Sequence, residues 1–166
     1  MLRVDRAEDV VRYASGSKID GDKIDGSAFV ARPQDNGQLS VNRPNVFGPD
    51  LEVSLDEIRS CSRLQLRASG RFAQVNIEEV CSALSELRPI SAVEVIEDQL
   101  PQEGDFPADP SHALMVGLPN ADDLMADMCG GHNCQLGEIA FAPCSALITP
   151  PPTAPRPRPD PPTPTG

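Results

Sequence analysis

Asp109-Pro110-Ser111-His112 sets an acid, a hydroxyl and an imidazole immediately ahead of the apolar run Ala113–Val116. These are the groups of hydrolysis or group transfer: a histidine to move a proton, a serine to attack, and a carboxylate to orient the imidazole. Consecutive strand residues point to opposite faces, so a direct Ser111–His112 pair is disfavoured. A small hydrolase or transferase would therefore use His112 as general base, with carboxylates such as Asp109 brought near in space. The competing reading makes the tetrapeptide a turn that begins a strand.

A second constellation lies further on. Cys129, His132, Cys134 and Cys144 place three thiols and an imidazole within sixteen residues, and Gly130-Gly131 would let the chain fold tightly around an ion. Zinc takes such ligands tetrahedrally. The spacing lacks the paired Cys-x-x-Cys knuckles of most structural zinc sites, so the alternative is a set of incidental free thiols. No other cofactor is expected.

Two apparent ligand sites fail on inspection. Lys18-Ile19-Asp20-Gly21-Asp22-Lys23-Ile24-Asp25-Gly26 repeats Lys-Ile-Asp-Gly and begins like a calcium loop. With Asp20 first, however, the fifth position is Ile24 and the twelfth Ala31, so the required carboxylates are missing. A turn built on Asp-Gly is the better account. A helix starting at Asn120 follows a Gly-containing turn, yet Asp122 and Asp123 in its first turn already complement the dipole and would repel a phosphate.

Charge is the sharpest signal in the chain. From Pro89 to Met128 there are nine Asp or Glu residues and no Lys or Arg, whereas residues 1–88 carry 14 acids against 12 bases. The net −11 of the chain is thus concentrated in one stretch. That balance disfavours nucleic acid and anionic lipid and favours a basic protein partner. The 12 arginines against two lysines suggest a GC-rich bacterial genome. The N-terminal residues lack the apolar run of a secretory signal and no stretch is long enough to span a membrane, so a soluble cytoplasmic protein is expected. Five cysteines, an odd number, argue against a disulfide framework.

The elements that would position these residues follow from periodicity. Asp5 and Glu8 have capping-box spacing, and Val4, Ala7, Val10, Val11 and Ala14 recur at helical intervals, which predicts a helix over 6–14. Strands at 28–31 and 39–41 flank an Asn36-Gly37 turn as a hairpin. Ser54 and Glu57 cap a short helix that turns Leu55, Ile58 and Cys61 inward. Alternating Leu64, Leu66 and Ala68, then Ser69-Gly70, then Phe72–Val75 suggest a second hairpin. Asn76 caps a helix with an Ile77, Val80, Cys81, Leu84, Leu87 stripe, which Pro89 stops. Strands follow at Val93–Ile96 and Ala113–Val116, the second apolar enough to be buried on both faces, and a last helix carries Leu124, Met125 and Met128. The order predicts a single two-layer α+β domain over 1–128, a mostly antiparallel sheet with helices packed on it. Residues 129–166 read as an irregular Cys/His-containing and Pro-rich tail, with nine prolines in the last 17 positions, too poor in apolar surface and backbone donors to join a core.

Lys23-Ile24-Asp25-Gly26-Ser27-Ala28-Phe29, Leu39-Ser40-Val41-Asn42, Asp109–Ala113 and Gly117-Leu118-Pro119 resemble a family of small bacterial proteins of unknown function over most of residues 1–128. The resemblance implies a shared fold and no activity. Relatives of that kind continue the last helix past Met128, and translation in a shifted frame would explain the loss of periodicity there. The functional expectation is a non-enzymatic protein-interaction module, with the His112 enzyme and the zinc protein as alternatives. A weaker thought is an acidic mimic of nucleic acid.

Overall fold

Asp9–Ala14 is a strand, β1, and not the predicted helix. Val10 and Ala14 join one hydrophobic core and Val11 another, with Tyr13 packed against the second. A short strand buried on both faces has apolar residues at nearly every position, so it mimics a helical spacing. The β-branched Val10 and Val11 and the aromatic Tyr13 decide for the strand. Asp5 still organises the entry, because its Oδ1 accepts the N–H of Ala7 and its carbonyl that of Glu8.

The computed structural model describes residues 1–21, 23–24, 26–29, 35–87, 93–118 and 145–148. Its other strands are β2 (Ile19–Asp20), β3 (Lys23–Ile24), β4 (Leu39–Asn42), β5 (Arg71–Asn76), β6 (Glu94–Glu97), β7 (His112–Val116) and β8 (Ser145–Ile148). Six of them form one sheet in the order β6-β7-β4-β1-β5-β8, every pairing antiparallel. Helix α1 (Leu51–Cys61) packs Leu55 and Ile58 on Val11 and Phe72, while α2 (Ile77–Leu87) packs Ile77 and Val80 with Val10, Ala73 and Val75. The expected α+β arrangement, one antiparallel sheet with helices packed on it, is therefore what the chain adopts.

The sheet curls. Val4 N–H donates to the Val95 carbonyl and Glu97 N–H to that of Leu2, so residues 2–4 run along the free edge of β6, yet β1 begins at Asp9 on the far side of β4. Four strand spacings of a flat sheet span about 19 Å. Five Cα steps reach about 18 Å fully extended, and the Asp5–Glu8 turn shortens them. The edge of β6 must therefore bend back toward β1.

Both hairpins expected across 28–41 and 64–75 are absent as such. Gly26–Phe29 is a 3-10 turn with Ala28 and Phe29 buried, and the Ala28 carbonyl accepts from Arg12 Nε at 2.7 Å. Val30 and Ala31 lie outside the described residues. The Asn-Gly turn does form, with φ of 51° at Asn36 and 70° at Gly37, and a Cβ on Gly37 would lie 2.5 Å from the Leu118 carbonyl. It delivers β4 to β1 and β7 instead of to its sequence neighbour. Leu64–Ala68 is irregular because the Tyr13 hydroxyl takes the Arg67 N–H at 2.8 Å and a turn closes from Gly70 N–H to the Arg67 carbonyl. β2 and β3 form a small ladder around Gly21, φ 60°, in place of a calcium loop.

The second helix starts at its expected cap, Asn76, whereas the first starts a turn before the expected cap Ser54, which lies inside it. Asp50, four residues before Ser54, caps α1 by accepting the Val53 N–H at 3.1 Å, while Ser54 is buried and donates back to the Asp50 carbonyl. Asn76 Oδ1 caps α2 by accepting from Glu78 and Glu79. The side chains of Leu84 and Leu87, the stop at Pro89, the helix from Asn120, the boundary at Met128 and the terminal prolines lie outside the described residues. Within the stretch read as an irregular tail, Ser145–Ile148 is a strand on β5.

Candidate functional site

Where β7 begins lie two of the three buried polar side chains found among the described residues. Asp109 is 4% exposed and Ser111 fully buried. The Asp109 Oδ1 accepts both the Ser111 N–H (3.0 Å) and the Ser111 Oγ–H (2.7 Å), an Asx-type turn closed twice. Asn42 at the end of β4 donates from Nδ2 to Asp109 Oδ2 (3.0 Å) and lies 2.9 Å from Ser111 Oγ. Cys61, the last residue of α1, completes the surroundings: burial, then the neighbouring Asp109 carboxylate, pushes its thiol up to about 12. Its Sγ donates to the Glu57 carbonyl.

His112 points elsewhere. Its Nδ1 lies 2.8 Å from the Asp98 carbonyl oxygen and 3.2 Å from Asp98 Oδ2. A carbonyl only accepts, so Nδ1 carries a proton and donates it to Asp98. Of the three residues expected to do chemistry, two are thus brought together, Asp109 and Ser111. The imidazole belongs to a separate pair with Asp98. The Ser111 hydroxyl is spent on Asp109, and the raised, buried Cys61 thiol is the opposite of an activated nucleophile.

Beside this knot, Arg43 reaches Glu8 in a two-pronged contact (3.1 and 3.2 Å) and also Glu97, all three side chains being largely shielded. The two carboxylates raise the pKa of Arg43 against the opposing effect of burial, which is the largest single influence. The Arg43 N–H donates to the Ser111 carbonyl, so the ion cluster and the knot share one backbone bond.

Five of the nine acids in the run are paired or buried among the described residues. Glu94 pairs with Arg3, Glu97 with Arg43, Asp98 with His112 and Glu103 with Arg63, and Asp109 is buried. Asp105 is exposed at the tip of an excursion closed by the Glu103–Phe106 and Leu100–Asp109 bridges, and Phe106 beside it is 39% exposed. Asp122, Asp123 and Asp127 lie outside the described residues.

The proposed zinc ligands Cys129, His132, Cys134 and Cys144 also lie outside them. Among the described residues no group of three His, Cys, Asp or Glu side chains could hold a metal ion. Nor is any helix among them long and apolar enough to cross a membrane.

Asn42, Cys61, Arg43, Glu8 and Asp98 were not marked as partners by sequence. One local signal was available: Asp-x-Ser places the acid two residues before an N–H that it can accept, which favours a turn over a triad. Neither family models, curated proteins nor solved structures match this chain.

Proposed function

We propose that the protein is a non-enzymatic interaction module that meets a basic partner through the exposed tip at Asp105 and Phe106. The observation that carries this reading is the internal use of the candidate groups among the described residues: Ser111 and Asp109 bond each other, His112 bonds Asp98 through Nδ1, and burial keeps the Cys61 thiol protonated. What faces solvent on the acidic excursion is a carboxylate next to an aromatic ring. Such a pair suits a basic surface with an apolar notch, the charge steering approach and the ring supplying contact. The buried, protonated Cys61 thiol fits a reducing, cytoplasmic setting.

Capture of proteins on the immobilised chain tests this directly. Basic partners should bind at low ionic strength, be released at about 0.5 M salt, and associate more slowly with Asp105→Lys. Partners retained unchanged by salt and by that substitution would remove the reading.

A second reading, a hydrolase or transferase using His112, draws on the Asp98–His112 pair, which orients the imidazole through Nδ1 and leaves Nε2 outside that contact. Any activity found should then vanish in His112→Ala. Activity that survives it excludes His112 as the base.

A further inference from the structure

We propose that the outer edge of β5 is a strand-docking site, occupied in this chain by β8 and open to an extended, uncharged apolar peptide of another protein that displaces it. The inference rests on the non-enzymatic reading above and names a second surface for it. On its inner side β5 pairs along all its residues, from Arg71 with Ala14 to Asn76 with Asp9. On its outer side β8 covers only Phe72 to Val75. Phe72, Ala73 and Val75 are at most 2% exposed, and the two hydrophobic cores meet at this strand. Without an outer neighbour β5 would be an apolar edge with unpaired amides and carbonyls, which is a template for another strand.

Three properties of β8 make it an exchangeable occupant. It is four residues long, and in sequence a proline, which has no N–H to give, stands two residues from either end, at Pro143 and Pro150. It comes from far along the chain, beyond Leu118, and no tight hairpin turn ties it to β5. Its sequence, Ser-Ala-Leu-Ile, carries no charge, which states the chemistry that the edge accepts. In strand addition the backbone supplies affinity and alternate side chains supply selection, so an extended segment of small and aliphatic residues fits the same edge, against the effective-concentration advantage of the tethered β8. A second copy of this chain is the disfavoured occupant, because a net charge of −11 opposes its approach.

The test uses the full chain and, as probe, a fluorescent peptide of residues 143–150 with Cys144→Ser. In the variant Ala146→Pro/Leu147→Pro the internal strand loses a donor in either hydrogen-bonding register. The peptide should bind this variant at least about tenfold more tightly than the unmodified chain, since the internal competitor is gone. Its affinity should be insensitive to salt. Equal binding to both chains, or no binding to a variant that keeps its circular dichroism, overturns the proposal. So does a variant that unfolds, because β8 would then be an integral strand. A dimer of the unmodified chain that disappears in the variant gives the site to a second copy and overturns the foreign peptide. Failure of the salt-dependent capture leaves this result untouched, and the two readings fall separately.

Discussion

Glu103 and Asp109 belong to one acidic excursion and meet opposite fates. The Glu103 side chain is 74% exposed and reaches Arg63 across the surface at 2.8 Å. Asp109 is 4% exposed and is held by Ser111 and Asn42 with Cys61 alongside. Both are carboxylates within hydrogen-bonding distance of a partner. In water a pair adds little, because solvent screens it and two long side chains must be ordered; in the interior the same group cannot be left unpaired without a large desolvation cost. A run of like charges in sequence is therefore a mixture of structural keystones and solvated decoration, and burial sorts one from the other.

The largest effect that would break this contrast is at the knot. Asp109→Ala should lower stability by about 3 kcal/mol, since it removes the buried acceptor of the Ser111 N–H and hydroxyl and of one Asn42 N–H, measured by urea denaturation. A loss no larger than that of Glu103→Ala would erase the distinction. Arg43→Ala strands Glu8 and Glu97 in a partly shielded site and should cost about 2 kcal/mol, less than a fully buried pair would. Asp50→Ala removes a helix cap and should cost about 1 kcal/mol in the same assay.

A smaller effect is gated by pH. The folded Cys61 thiol is raised from its ordinary value of 9.0 to about 12, so its contribution to stability is fully present below about pH 9 and is lost as pH rises toward 12. Thermal midpoints should fall across that window, and the fall should be shallower in Cys61→Ala. An identical slope in the two proteins removes the thiol from the explanation. Last, Arg63→Ala or Glu103→Ala should shift stability by no more than about 0.5 kcal/mol, and the shift should shrink in salt.

How much of this could be read in advance depended on the reach of each interaction. α2 was visible because its cap and its stripe are local: Asn76 bonds residues two and three ahead. β5, β6 and β7 were visible as bounded apolar runs, although β7 alternates buried and half-buried positions where burial on both faces was expected. β1 was misread because Val10 and Val11 serve two cores at once, and only knowledge of both neighbours distinguishes that from a helical stripe. The pairing of β4 with β7, and of β5 with β8, spans distances over which a hydrophobic pattern carries no register. Around the candidate site the same rule holds. The Asp109–Ser111 bond is written in adjacent residues, but Asn42 and Cys61 arrive from distant elements, and nothing local announces them.

The central position of β1 has a consequence for synthesis. It emerges from the ribosome first, yet its partners are β4 and β5, and the arm before it waits for Val95 and Glu97. At about 5–20 residues per second, β5 appears several seconds after β1. Throughout that interval Val10, Val11 and Tyr13 have no sheet to enter, so slower translation lengthens the time their apolar side chains face water.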